Sequence, residues 1–202
     1  MGKLTKEQQE KSLAFLKKLV AFDTSVIRHG EEGQEKDAQM YLAEYLRTLG
    51  CSVDVFEPDN EKMKDYPGYN SGHSYTGRPN VVAVYKGSGG GKSLILNGHM
   101  DTMPSGDLDM WHTDPWQMTE KDGNLYGLGT DDMKGGLSAL VLAVEFLLAE
   151  GFCPAGDVII ESVVDEEGGG NGTLACVERG YRADGDIIAE GSNLEVFEAN
   201  RG

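Results

Sequence analysis

The sequence predicts an α/β fold, a sheet of parallel character flanked by helices. Three observations carry that expectation. Apolar residues recur at helical spacing twice near the N-terminus. Short apolar, β-rich runs bounded by turn residues follow them. A long apolar run of helical length then separates these strands from two more, so strands and helices alternate.

Taken in order, Thr5 to Phe22 places Leu13, Leu16, Leu19 and Val20 on one side, with lysines and glutamates elsewhere, and reads as an amphipathic helix. A second helix runs from about Glu32 to Leu49, with Ala38, Leu42, Tyr45, Leu46 and Leu49 in phase and Gly50 placed to end it. Cys51 to Phe56 alternates as a half-exposed strand does. Residues 57–79 are polar and rich in Pro, Gly, Asn and Lys, so a loop is expected there. Asn80 to Tyr85 and Ser93 to Leu96 read as short buried strands. Residues 105–127 form a long irregular stretch holding Trp111 and Trp116. A buried helix is expected from about Lys134 to Glu150, and a strand from Asp157 to Val164. A short helix near 172–179 leads to a short buried strand at 185–189. The sequence shows no internal repeat and no low-complexity segment.

A chain of 202 residues, 39% of them hydrophobic, is long enough for one large domain, or one and a half, with a sizeable core. Its 34 acidic against 18 basic residues give a formal net charge of −16, which excludes a phosphate-backbone binder and hence a nucleic-acid partner. The acid excess suits a cationic partner, with metal ions the first candidates. The opening MGKLTKEQQEKS is charged and polar, unlike a secretory signal, and Lys6 stands where a myristoylation pattern needs Ser or Thr. Leu137 to Leu148 is interrupted by Ser138 and Glu145 and is too short to span a bilayer, so no membrane partner is expected. Cys51, Cys153 and Cys176 are odd in number and far apart, which indicates neither a disulfide framework nor a zinc knuckle and suits a reduced, cytoplasmic setting.

Gly87 to Ser93 resembles a phosphate-binding loop, but Lys86 occupies the position of its first glycine. The residues that follow, Leu94-Ile95-Leu96, read as a strand rather than the helix such a loop must open. A hairpin turn between two strands is the better reading.

Four segments carry chemistry. His99 and Asp101 stand two apart at a strand end and project to one side, so one can bind metal while the other receives the second imidazole N–H. Asp131 and Asp132 stand directly before a buried helix; one can cap it and leave the other for a metal. Gly135 and Gly136 in its first turn permit close backbone approach. Asp165, Glu166 and Glu167 are three consecutive acids after an apolar strand, a repulsion that a cation relieves. Adjacent residues on extended chain diverge, so one glutamate can bind metal while its neighbour stays free as a base. Glu190 ends the last strand. One imidazole among carboxylates suits divalent ions, with zinc favoured by the histidine. No Gly-x-Ser-x-Gly nucleophile motif is present, which points to a water activated by metal as nucleophile.

In this order and spacing the four segments, together with Arg78-Pro79-Asn80-Val81-Val82-Ala83, resemble the zinc-dependent deacylase and exopeptidase family. Acetylornithine deacetylase, succinyl-diaminopimelate desuccinylase, aminoacylase and glutamate carboxypeptidase are among its members. The resemblance implies a mixed, mostly parallel sheet flanked by helices and two zinc ions, with cobalt or manganese as alternatives. It implies that His99 and Glu190 bind one metal, that Glu167 binds the second, and that Asp132 bridges both. Asp101 would orient His99, Glu166 would be the general base, and the Asp132–Met133 peptide would be cis. The substrate would be a small N-acyl amino acid or a peptide, with acetylornithine-type deacylation expected first. Desuccinylase, deformylase, carboxypeptidase or dipeptidase activity, or a catalytically dead metal-binding module, are the alternatives. The family has Arg between the glycines before the bridging aspartate, where this chain has Leu128, an exchange expected to affect loop packing. Residues 1–202 correspond to the N-terminal part of the family's catalytic domain. The dimerisation and lid domain, and the C-terminal segment with a last metal-binding histidine, lie outside that correspondence, so a homodimer is expected only of a full-length protein. His29, His73 and His112 read as ordinary loop histidines.

Overall fold

A computed structural model describes residues 3–28 and 30–191 of the chain, and His29 lies outside them. Helix α1 (Lys6–Val20) opens on a capping box in which Thr5 and Gln8 each bond the other's backbone N–H. Strands β1 (Val26–Ile27) and β2 (Glu32–Gly33) form a small antiparallel ribbon. Helix α2 (Lys36–Thr48) therefore starts after that ribbon and not at Glu32. Its end is closed as expected, with Gly50 N–H on the Arg47 carbonyl and Cys51 N–H on that of Leu46.

Strand β3 (Ser52–Phe56) leads into 57–79, which is more than a loop. It holds helix α3 (Asn60–Met63), capped by Asp59, and buries Met63 and Tyr75. Two apolar anchors in a polar stretch leave no periodicity to read. Next come β4 (Asn80–Tyr85) and β5 (Leu94–His99). The stretch expected to be irregular contains a 3-10 turn at Leu108–Met110 and a hairpin of β6 (Thr119–Lys121) and β7 (Asn124–Tyr126). Helix α4 (Lys134–Ala149), strand β8 (Val158–Val163), helix α5 (Asn171–Glu178) and strand β9 (Gly185–Ile188) complete the described fold.

The central sheet has five strands in the order β3-β4-β8-β5-β9. It is mixed and flanked by helices, but the parallel share is half: β5 runs parallel to β8 and β9, while β3–β4 and β4–β8 are antiparallel. The glycine-rich segment 86–93 leads into a strand, as expected, yet not as a hairpin, because β8 lies between β4 and β5. That segment instead rests on the turn before β8, with Ser88 N–H on the Pro154 carbonyl at 2.9 Å and Gly89 N–H on that of Ala155 at 2.8 Å.

The strands alternate as the pleat requires. Val81, Ala83, Leu96 and Ile160 face the core shared with Phe15 and Leu19 of α1, Leu42 and Leu46 of α2, and Leu137 and Val141 of α4. Val82, Ile159 and Val163 face the other way, against Cys176 of α5. Each fully buried leucine contributes about 1.5–3 kcal/mol relative to exposure. Strand β9, expected to be buried, is exposed along its whole length, because among the described strands it pairs only with β5, at the sheet's edge. No helix among the described residues is long and apolar enough to cross a membrane. Because β5, β8 and β9 run parallel, the segments leaving their C-terminal ends emerge on one side of the sheet, where open α/β sheets place their ligands.

Candidate metal centre

His99 is the last residue of β5 and is 1% exposed. Its Nδ1 lies 2.9 Å from the backbone carbonyl of Asp101, an acceptor only, so Nδ1 carries a proton. Its Nε2 faces carboxylates alone: Asp132 Oδ1 at 2.9 Å, Glu190 Oε1 at 3.5 Å and Glu166 Oε2 at 3.7 Å. In a neutral imidazole with Nδ1 protonated, the Nε2 lone pair would point straight at oxygen lone pairs. A cation between them, or a second proton on the ring, resolves that conflict. The electrostatics agree: burial by itself would lower the His99 pKa, but the carboxylates of Glu190, Asp101 and Glu166 reverse the effect and push it up to about 10. His99, Asp132 and Glu190 each offer a ligand atom, and these atoms all lie within 4.8 Å of one another. One borderline nitrogen and two hard oxygens, with the second imidazole nitrogen anchored on the chain, suit zinc and its divalent neighbours.

The carboxylates reach this point from three loops. Neither Asp131 nor Asp132 caps α4, whose N-cap is Met133 without a side-chain bond. Asp132 is thereby free for the cluster, its peptide to Met133 is cis as the resemblance implies, and Asp131 packs against Gly191. The start of α4 comes close to the chain leaving β9: a Cβ on Gly136 would stand 1.9 Å from the Ala189 carbonyl oxygen. That contact requires glycine and brings Asp132 and Glu190 together. Leu128 belongs to the same loop framework, its N–H donating to the Pro115 carbonyl at 2.7 Å.

Asp101 does not orient His99 through its carboxylate, which stands 3.6 Å from Nδ1; the backbone carbonyl takes that position. The carboxylate, fully buried, accepts the N–H groups of Glu166 at 3.3 Å and Glu167 at 3.1 Å. Burial pushes its pKa up to about 7, opposed by the charge of His99. Glu166 and Glu167 occupy a turn, not extended chain, so the turn and these two bonds set their directions. Glu166 reaches towards His99, whereas Glu167 stays outside the three-residue cluster and accepts the Met103 N–H at 3.2 Å. Burial raises the pKa of both glutamates, and the negative charge of Asp132 raises both further.

Two polar side chains escaped the sequence reading. His73 is no ordinary loop histidine: it lies 2.8 Å from Asp165 Oδ2 with 11% of its side chain exposed. Lys134, 1% exposed, sends Nζ to the Phe22 carbonyl at 2.9 Å, and burial brings its pKa down to about 8. His112 is exposed in its loop, as expected.

Residues 95–199 match the sequence profile of peptidase family M20/M25/M40. An N-formyl-4-amino-5-aminomethyl-2-methylpyrimidine deformylase of Halalkalibacterium halodurans is 38% identical over 192 residues, which are 94% of this chain and 40% of that protein. A succinyl-diaminopimelate desuccinylase of Cupriavidus necator is 39% identical over 172 residues, 81% of this chain and 41% of that protein. Among solved structures, human carnosine dipeptidase 1 superposes with a TM-score of 0.73 at 23% identity, covering 91% of this chain and 39% of that one. The chain therefore spans about two fifths of the length of these relatives.

Proposed function

The chain belongs to peptidase family M20/M25/M40, and from that premise we propose that it forms the metal-holding part of a hydrolase that cleaves an amide bond of a small N-acyl compound. The observation that carries this reading is the imidazole Nε2 of His99 turned onto the carboxylates of Asp132, Glu190 and Glu166. His99 and Glu190 would hold one divalent ion and Glu167 a second, with Asp132 between the two. Bound there, such ions supply Lewis-acid polarisation of the scissile carbonyl and a lowered pKa for the attacking water. Glu166 acts as the proton carrier: its carboxylate is half exposed, borders the cluster and has a pKa raised towards the useful range by burial and by its acidic neighbours. It takes the proton released as water adds to the carbonyl carbon and delivers it to the amine nitrogen as the C–N bond breaks. Asp101 holds the N–H groups of Glu166 and Glu167 and so fixes the turn from which both act.

The relatives favour a formyl or succinyl group on the amine over the acetylornithine-type substrate expected first, because deformylases and desuccinylases are the relatives of highest identity reported above. Zinc is the ion of choice for the donor set. In a hydrolytically competent protein carrying this chain, Glu166→Gln lowers kcat by about 10²–10⁴ and leaves the zinc content unchanged. Loss of zinc in that variant would contradict the assignment of Glu166 and Glu167. The 202-residue chain alone is expected to hydrolyse N-formyl, N-succinyl and N-acetyl amines little or not at all. Robust turnover would show its own residues to suffice.

A further inference from the structure

The acidic turn that presents Glu166 and Glu167 begins with a residue aimed away from the cluster. Asp165 is fully buried at φ +66°, a left-handed conformation uncommon for a residue with a side chain. Its carboxylate accepts the Tyr75 hydroxyl at 2.6 Å and lies 2.8 and 2.9 Å from His73 Nδ1, which must therefore carry the proton. The guanidinium of Arg78 stands 3.9 Å away, itself clamped on Glu35. Tyr75 Oη accepts in turn from Asn171 Nδ2 at 2.6 Å, and Asn171 bonds the backbone of Asn70 in both directions. The Asp165 carbonyl receives the N–H groups of Gly169 and Gly170. The turn is thus gripped from two sides, by Asp101 next to the cluster and by His73 and Tyr75 behind it. The Asp165 carboxylate sits among short bonds of 2.6–2.9 Å, so a shift of Asp165 moves the peptide units that carry the two glutamates.

We infer that His73 and Tyr75, acting through Asp165, are positioning residues for Glu166 and Glu167. The inference rests on the metal-centre reading above. A polar web kept only for stability would leave the ion affinities of the folded chain unchanged. A positioning web acts on the turn, and on the ion that needs Glu167 more than on the ion held by His99 and Glu190. Outer partners of this kind typically alter metal affinity by about 10–100-fold when removed.

The test compares the wild-type 202-residue chain with His73→Leu, with the milder Tyr75→Phe, and with His73→Asn, whose amide can replace the Nδ1–H donor. Amide hydrogen exchange is read in peptides spanning 164–170 and in β4, β5 and β8, and Zn²⁺ alone is titrated into each protein. The expected result is faster exchange confined to 164–170 in His73→Leu and Tyr75→Phe, with a drop of about 10–100-fold in affinity for the second zinc ion and the first spared. His73→Asn returns both towards wild type. Unchanged exchange at 164–170, or protection lost evenly across the sheet with zinc affinities equal to wild type, would overturn the inference. A wild-type chain that takes up no zinc would instead sink the metal reading; there, and where a single ion binds, the exchange comparison decides whether His73 and Tyr75 fix the turn.

Discussion

Arg78 and Glu35 form a deeply buried ion pair, at 1% and 0% side-chain exposure. Two guanidinium nitrogens meet the carboxylate at 2.6–3.1 Å, and a third donates to the Gly30 and Ser74 carbonyls. Arg78→Met leaves an uncompensated carboxylate in the interior and is expected to cost about 3–5 kcal/mol in chemical denaturation. Adding Glu35→Leu should recover part of that loss; no recovery would mean that the carbonyl bonds, not the ion pair, matter at this position. The contrast with the metal centre shows which residues are legible from the sequence. His99, Asp132, Glu166 and Glu190 could be singled out because each follows an apolar strand or precedes an apolar helix, where a bare charge needs a reason. His73 and Asp165 pair across 92 positions, and Glu35 and Arg78 across 43. Nothing local to a lone histidine in a polar stretch announces such a partner.

Elements are joined by contacts that their own periodicities do not reveal. Asp54 on β3 accepts Arg179 Nε at 2.6 Å and the Tyr181 hydroxyl at 2.8 Å, tying the sheet's edge to the chain after α5. The bond from Arg179 holds the Asp54 carboxyl below the usual carboxylate range. A depressed carboxylate pKa contributes stability above its unfolded value, near 3.9, and loses it as pH falls through the folded value. Asp54→Asn should therefore lower stability by about 0.5–1 kcal/mol at pH 7. That difference should vanish in strong acid; an equal loss at both pH values would assign it to packing. Gly136 poses the opposite choice of sign. Alanine would improve helix propensity by about 1 kcal/mol, yet its Cβ meets the Ala189 carbonyl at 1.9 Å. We expect Gly136→Ala to destabilise by at least 1–3 kcal/mol on the scale of overpacked cores, and to separate Asp132 from Glu190, so that zinc affinity falls with it. Helix and strand positions were largely readable because burial imposes periods of 3.6 and 2. The insertion of β8 between β4 and β5, the exposure of β9 and the small β1–β2 ribbon were not, since partner choice in a sheet leaves no mark on either strand alone.

At the scale of the whole molecule, a net charge of −16 and a knot of carboxylates around one imidazole describe a chain whose charge balance improves when a divalent cation binds. The α/β class and the side of the sheet that carries the site follow from parallel strands whose following segments share an exit. The sheet's even split between parallel and antiparallel pairs depends on β3 and β4, which no local pattern distinguishes from their neighbours. The most direct test is calorimetric titration of the 202-residue chain with zinc, paired with thermal unfolding, for wild type and Asp132→Asn. Asp132 has 62% of its side chain exposed, so its amide variant should fold. Wild type is predicted to bind at least one zinc ion per chain and to gain about 2.7 kcal/mol at a hundredfold excess over Kd, with both effects sharply reduced in Asp132→Asn. Absence of stoichiometric binding to the wild-type chain, or identical binding and stabilisation in the two proteins, would contradict the account.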